Sequence, residues 1–167
     1  MKERSEKNLK DAFAGESQAH MKYLNFADKA SAEGFANVAR LFRAASFSEQ
    51  VHASNHLRTL AGIQATSENL KEAMSGEDYE VQTMYPRFIR EAEEDGEKAA
   101  VTATKAAYAA EKVHFGLYEK AKQAVDKGQD LSLPQIHVCQ VCGFTVEGDA
   151  PDKCPVCGAP REKFKAF

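Results

Sequence analysis

The sequence predicts an all-α four-helix bundle followed by a small cysteine-containing domain. Three observations support this fold class. Apolar residues recur every three or four positions from Ser5 to about Asp126, which is the pattern of amphipathic helices. A single proline, Pro86, interrupts that region, and we expect a kink or a local distortion there. All four cysteines lie between Cys139 and Cys157, in a stretch without a helical pattern.

Glycines divide the helical region into segments. Gly34, Gly62 and Gly96 each follow an apolar-periodic stretch, at a place where glycine commonly ends a helix. Thr66 or Ser67 is suited to cap the start of the third segment. These signals predict four helices, over Ser5–Ala32, Phe35–Ala61, Glu68–Asp95 and Glu97–Asp126.

The second and fourth predicted helices contain a repeated motif. "RAASFSEQVH" at residues 43–52 matches "KAAYAAEKVH" at residues 105–114, so each copy places a glutamate three residues before a histidine. Residues three apart lie on one helix face, and both pairs continue an apolar stripe. The repeat predicts that the first two helices form a hairpin that the last two duplicate.

Three further glutamates extend the apolar stripes of the other two helices, Glu16 in the first and Glu77 and Glu80 in the third. Carboxylates that converge in an apolar interior repel one another and lose hydration unless they bind cations. Carboxylate and imidazole ligands suit iron or manganese, and a glutamate from each of two helices plus Glu-x-x-His from the other two is a known di-metal pattern. We predict a dinuclear metal site with the ligands Glu16, Glu49, His52, Glu77, Glu80, Glu111 and His114.

Two tyrosines stand at corresponding positions after these glutamates. Tyr23 follows Glu16 by two helical turns, and Tyr85 occupies a similar place after Glu77. Such residues often serve only as core aromatics, but a hydroxyl near a metal site can hydrogen-bond a ligand carboxylate or an oxygen species. We predict the second role for both tyrosines.

The cysteines form two knuckles, Cys139-x-x-Cys142 and Cys154-x-x-Cys157. Four thiolates so placed bind one metal ion tetrahedrally. Zinc would make the tail a structural ribbon and iron would make it a one-electron carrier. A redox-active dinuclear site needs a supply of electrons, which favours iron. We predict two domains, residues 1–130 and residues 134–167.

Composition excludes several function classes. The formal net charge of −3 argues against a nucleic-acid or anionic membrane surface. No apolar run approaches the length of a membrane span, and the charged start does not resemble a signal peptide. We therefore expect a cytoplasmic protein, in which clustered cysteines bind metal rather than form disulfides.

The segments "AFAGESQAHMKY", "FSEQVH", "GEDYEVQTMYPRF" and "AAEKVH", followed by "CQVCGF" and "CPVCGAP", resemble the rubrerythrin family in order and over almost the whole chain. The resemblance implies a ferritin-like bundle that holds two iron ions and a rubredoxin-like tail that holds a third. Zinc or manganese could replace iron in either site. The resemblance also implies that, when the site is reduced, His52 replaces Glu80 as a ligand of one iron ion.

The same resemblance implies an NAD(P)H-linked peroxidase that reduces hydrogen peroxide to water and protects cells from oxidative stress. A reductase or a rubredoxin would donate electrons through the four-cysteine iron. The short segment between His52 and Glu77 resembles compact members of the family, some of which exchange helical hairpins between subunits, and we expect a homodimer or a higher homo-oligomer. We expect the linker to keep the tail centre away from the helical site of the same subunit, so that electrons pass between subunits.

Two other functions remain open from the residues alone. The first is a ferritin-like ferroxidase that stores or detoxifies iron, although the tail argues against it. The second is a non-catalytic metal protein whose zinc ribbon binds a partner.

Overall fold

A computed structural model describes all 167 residues of the chain. The chain forms two compact units, Met1–Gln64 and Ala65–Phe167. None of the helices combines the length and the apolar character that crossing a membrane requires.

The first unit is a hairpin of two long helices, α1 (Glu3–Ala32) and α2 (Ala36–Thr59). Both predicted helices are confirmed to within two residues at either end. Gly34, at φ +84°, allows the tight reversal between them. The two helices meet through small buried residues such as Ala27 and Ala39, so their backbones can approach closely.

Large apolar side chains lie on the outside of this hairpin. Phe26 is 46% exposed, Leu41 67% and Phe47 66%. An exposed apolar surface of this kind is typical of a face that packs against another protein element. The hairpin therefore lacks, within its own unit, a cover for one face.

The second unit begins with three helices, α3 (Thr66–Tyr79), α4 (Tyr85–Glu94) and α5 (Lys98–Val125). A π-helical turn at Glu80–Met84 separates α3 from α4, where the sequence predicted one helix with a distortion. Pro86 lies in the first turn of α4. Because proline has no backbone N–H to donate one turn back, the widened π turn absorbs the break just before it.

The predicted cap of the third helix is wrong. The N-cap residue is Ala65, which makes no side-chain hydrogen bond. The Ser67 hydroxyl instead donates to the carboxylate of Asp126 at 2.6 Å, at the end of α5. The Ser67 side chain therefore bonds to a residue distant in sequence and does not cap the start of its own helix.

The connection between the two units also differs from the predicted glycine turn. The positive φ belongs to Ala61, at +56°, and not to Gly62. A Cβ at Gly62 would lie 2.4 Å from Cδ1 of Leu57, so a larger residue there would require the Leu57 side chain to move.

The tail is a three-stranded antiparallel sheet, with β1 (Ile136–Cys139) between β2 (Thr145–Glu147) and β3 (Phe164–Ala166). The turn between β1 and β2 carries Cys142 and Gly143, the latter at φ +80°. This hairpin therefore holds the first cysteine knuckle directly before Thr145.

Polar contacts tie the helices within each unit. In the first unit, the buried Ser46 hydroxyl on α2 donates to the carbonyl of His20 on α1 at 2.9 Å and lies 2.9 Å from its Nδ1. In the second unit, Ser67 and Lys122 both contact the Asp126 carboxylate near the surface. The first tie is buried and the second is accessible to water.

Candidate metal centres

The first Glu–His cluster consists of Glu16 on α1 with Glu49 and His52 on α2. One ligand atom from each residue lies within 4.8 Å of the others. Nδ1 of His52 is 3.0 Å from Oε2 of Glu49. The hydrogen bond between the two carboxyl groups raises the pKa of Glu16 and lowers the pKa of Glu49.

The second Glu–His cluster consists of Glu77 on α3 with Glu111 and His114 on α5, again within 4.8 Å. Nδ1 of His114 lies 2.7 Å from Oε2 of Glu111 and 3.8 Å from Oε1 of Glu77. Burial, followed by the charge of Glu111, raises the pKa of Glu77 to about 7. Binding a cation would relieve this repulsion, because it stabilises both carboxylates in their charged form.

Glu80 lies beside the second cluster without belonging to it. It is the first residue of the π turn, and burial and then the charge of Glu111 raise its pKa. A π turn at such a position is frequent at functional sites, because it changes the direction in which the following side chains point. The structure thus places Glu80 near the second cluster, and its predicted role as a ligand stays a prediction.

Burial and the negative charge at and beside the second cluster raise the pKa of two tyrosines. Burial and then Glu80 raise the pKa of Tyr85, and burial and then Glu77 raise that of Tyr118. Sequence reasoning missed Tyr118, although its position one helical turn after His114 was a usable signal. Tyr23 lies in an aromatic group in the first unit, with ring centroids 6.2 Å from Phe26 and 6.1 Å from Phe42.

Both Glu–His clusters are suited to a metal ion. Nitrogen and oxygen ligands bind such ions at about 2.0–2.2 Å, so two ligands of one ion lie at most about 4.4 Å apart. The spread of each cluster is close to that limit, and small side-chain movements would close it. The donors are two carboxylates and one imidazole in each case, a hard and intermediate set that suits iron or manganese.

The four cysteines are free and also lie within 4.8 Å of one another. The sulphur atoms of Cys139 and Cys157 are 3.7 Å apart, and those of Cys142 and Cys154 are 3.6 Å apart. A tetrahedron with metal–sulphur bonds of about 2.3 Å has edges of about 3.8 Å. The four thiols therefore already have the geometry of a tetrathiolate site.

The cysteine environment favours a bound cation. Burial raises the pKa of Cys142 far above its usual range, so this thiol ionises only with a positive charge beside it. Burial also opposes ionisation of Cys154, but backbone amides of Cys157 and Val156 overcome it and lower the pKa to about 7. Amide donors of this kind stabilise a thiolate ligand.

The tail contacts α5 in two places. Nε2 of His114 lies 2.8 Å from the hydroxyl of Thr145, and Lys120 forms an ion pair with Glu147 at 2.5 Å. The expectation that the linker keeps the tail away from the helical site of its own chain is therefore wrong for the second cluster. The cause is the packing of β2 on α5 within one unit.

Comparisons with known proteins agree with this arrangement. The family model described as Rubrerythrin matches residues 7–122, and the model described as Rubrerythrin, rubredoxin-like domain, matches residues 137–165. Rubrerythrin-2 of Clostridium acetobutylicum is 34% identical, over 95% of this chain and 94% of its own length. Nigerythrin of Nitratidesulfovibrio vulgaris is 36% identical, over 96% of this chain and 85% of its own length.

A solved structure of nigerythrin in its fully reduced, all-ferrous state matches with a TM-score of 0.55 and 35% identity, over 97% of this chain and 86% of that chain. The predicted fold class is confirmed by these matches: helices of the ferritin-like type followed by a small rubredoxin-like four-cysteine domain. The predicted ligand roles and domain boundaries stay predictions.

Proposed function

Because the chain belongs to the rubrerythrin family, we propose that it is a non-haem di-iron peroxidase that reduces hydrogen peroxide to water. The observation that carries this proposal is the presence, in one chain, of two Glu–His clusters of the same composition and a preformed four-cysteine site. The first two supply the ligands of a dinuclear centre, and the third supplies a one-electron carrier.

The metal we propose for all three positions is iron, two ions with the Glu–His ligands and one with the cysteines. The donor sets suit it, and the nigerythrin structure that this chain matches is described as all ferrous. When bound, a ferrous pair supplies the two electrons that break the oxygen–oxygen bond: H₂O₂ + 2 e⁻ + 2 H⁺ gives 2 H₂O.

The residues of the chain would hold and deliver the protons of this reaction. Tyr85 and Tyr118 keep their hydroxyl protons at neutral pH, since burial and neighbouring carboxylates raise the pKa of both. A retained proton close to the ligands is available to a leaving oxygen. Tyr23 would play the same part from the first unit. In the proposed ligand exchange, Glu80 would hold the metal in the oxidised protein and His52 would hold it in the reduced protein.

Electrons would enter through the four-cysteine iron from an NAD(P)H-linked reductase or a rubredoxin. The test is to load the full chain with zinc, which has no redox chemistry, in the cysteine site and iron elsewhere. We expect reductase-coupled peroxide turnover to be abolished, while chemically reduced protein still consumes peroxide in a single turnover. The all-iron protein is the matched control.

Full coupled turnover in the zinc-substituted protein would contradict the electron-carrier role. Consumption of dioxygen with retention of ferric iron, in place of peroxide reduction, would instead support a ferroxidase.

The active form would be a homodimer with exchanged helical hairpins. Two observations support this part of the proposal. The first hairpin leaves large apolar side chains exposed, among them Phe26, Leu41 and Phe47, and the two Glu–His clusters lie in separate compact units. A dinuclear site of the family type needs ligands from both clusters, and a second copy can supply either one.

Complementation tests the exchange. Glu49→Ala damages the first cluster, and Glu111→Ala damages the second. In an exchanged heterodimer of the two variants, one site is intact and the other carries both substitutions. We therefore expect about half of the wild-type metal content and activity in the purified heterodimer, and about a quarter in the unseparated co-expressed protein, because about half of its dimers are homodimers of one variant. Without exchange, every site carries one substitution and nothing returns. Light scattering of the wild-type protein should give the mass of a dimer.

A further inference from the structure

We infer that Thr145 is a positioning residue for His114: it holds the imidazole with Nδ1 free to bind metal, and it joins this ligand to the first cysteine knuckle. The inference rests on the proposed function in one respect, that a metal ion binds His114.

Thr145 is placed for this role by packing. It is 3% exposed, and its hydroxyl lies 2.8 Å from Nε2 of His114. The other ring nitrogen, Nδ1, faces Glu111 at 2.7 Å and Glu77 at 3.8 Å. The two nitrogens therefore face different partners, with the carboxylates on one side of the ring and the hydroxyl on the other.

The location of the ring proton follows from this arrangement. A metal ion between His114 and the carboxylates takes the lone pair of Nδ1, so a neutral ring must carry its proton on Nε2. The Thr145 oxygen accepts that proton in a hydrogen bond. Its own hydroxyl proton points to the carbonyl of Gly143, 3.3 Å away. A threonine hydroxyl can do both at once, since it is one donor and two acceptors.

The same hydroxyl connects two candidate metal sites. Gly143 follows Cys142 in the chain, so the hydrogen bonds run from His114 through Thr145 to the backbone of the cysteine knuckle. We expect this connection to speed the transfer of one electron from a ferrous cysteine-bound iron, which becomes ferric, to a ferric ion at the Glu–His ligands, which becomes ferrous.

Three full-length variants distinguish a direct effect of Thr145 on His114 from an indirect effect through the packing of the tail on α5. Thr145→Val keeps the shape of the side chain and removes the hydroxyl. Thr145→Ser restores the hydroxyl. Glu147→Gln is the matched control, because it weakens the other contact of the tail with α5, the ion pair with Lys120, and leaves His114 untouched.

The first readout is spectroscopic and does not depend on activity. In the zinc-loaded protein, ¹⁵N–¹H spectra of the histidine rings should show His114 protonated at Nε2, with slow exchange of that proton with water. His114→Gln identifies the signal. We expect Thr145→Val to lose the slow exchange and to bind zinc at this site roughly tenfold more weakly, the usual effect of removing such a partner. Thr145→Ser and Glu147→Gln should resemble the wild type.

An unchanged His114 signal and unchanged zinc affinity in Thr145→Val would overturn the inference. So would equal losses in Glu147→Gln, because they would show that the tail acts only by docking. The second readout is the rate of oxidation of the ferrous cysteine iron by the ferric Glu–His iron, which we expect to fall roughly tenfold in Thr145→Val alone. None of these readouts uses peroxide, so a failure of the peroxidase proposal is detected separately.

Discussion

The two Glu–His clusters have the same ligands and different surroundings. Each combines a glutamate from one helix with a Glu-x-x-His motif from another. In each, the histidine Nδ1 faces the glutamate of its own motif, at 3.0 Å in the first cluster and 2.7 Å in the second. The two halves of the helical repeat therefore contain the same ligand residues, two glutamates and one histidine. The environment of the donors was not reproduced.

The histidines differ most. The side chain of His52 is 50% exposed, and its Nε2 makes no hydrogen bond within the chain. The side chain of His114 is 30% exposed, and both of its nitrogens have partners. A ring fixed on both sides is suited to a permanent ligand, and a ring held on one side is suited to a ligand that binds in only one oxidation state. The comparison supports the roles proposed for the two histidines.

The carboxylates differ as well. In the first cluster the pKa values of Glu16 and Glu49 move in opposite directions because of the bond between them. In the second cluster, burial and repulsion raise the pKa of Glu77, and they also raise the pKa of the neighbouring Glu80. The second cluster is thus the one that holds more unfavourable negative charge when no metal is bound, and its metal should be the harder to remove.

The largest effect that we predict distinguishes the two histidines. His114→Ala should lower the metal affinity of the protein by at least about 100-fold, since loss of a ligand costs more than loss of its hydrogen-bond partner. His52→Ala should retain metal in the oxidised protein and slow the oxidation of the reduced protein by peroxide. Iron content after dialysis measures the loss of metal from each variant, and single-turnover stopped-flow measurements give the rate at which peroxide oxidises the reduced protein. Equal loss of iron in the two variants would show that the histidines are equivalent.

Sequence reasoning predicted which residues gather in the two Glu–His clusters and in the cysteine group, because much of their spacing is local. Glu49 and His52 must share a helix face wherever the helix packs, and two C-x-x-C turns bring thiolates together in almost any small domain. The contact of Thr145 with His114 was not predictable, because it joins residues 31 positions apart through the packing of β2 on α5. The capping of α3 failed for the same reason, since Ser67 bonds to the end of α5 instead.

A second prediction uses the charge difference between the clusters. The pKa of Glu77 in the folded, metal-free protein is about 7, above its value of 4.5 in an unfolded chain. The folded state therefore binds more protons between these values, and its stability should fall as the pH rises from about 4.5 to about 7, by about 2–3 kcal/mol. Glu77→Gln should remove most of this decrease.

Denaturant midpoints of the metal-free protein at pH 5 and pH 7.5 measure the effect. Glu16→Gln is the control from the first cluster, where the pKa values of Glu16 and Glu49 shift in opposite directions. It should keep the pH dependence of the wild type. The interpretation fails if Glu77→Gln and Glu16→Gln change the pH dependence equally, or if the wild-type protein becomes more stable across this range.

The smallest effect that we predict is on stability, and it concerns the hydrogen bonds that join the helices within each unit. Ser46→Ala removes a buried hydroxyl that donates to the carbonyl of His20 and lies 2.9 Å from its Nδ1. Nδ1 of His20 keeps the backbone carbonyl of Ser46 as a partner at 3.0 Å, so the substitution removes only the hydrogen bonds of the hydroxyl itself. The free energy of unfolding should therefore fall by about 1 kcal/mol. Ser67→Ala removes a bond at the surface, where Lys122 still neutralises Asp126 at 2.7 Å, and should cost no more than about 0.5 kcal/mol. Thermal unfolding of both variants in the metal-free protein gives the two values. A larger loss of stability in Ser67→Ala than in Ser46→Ala would contradict this prediction. It would show that the surface hydrogen bond of the second unit stabilises the protein more than the buried hydrogen bond of the first.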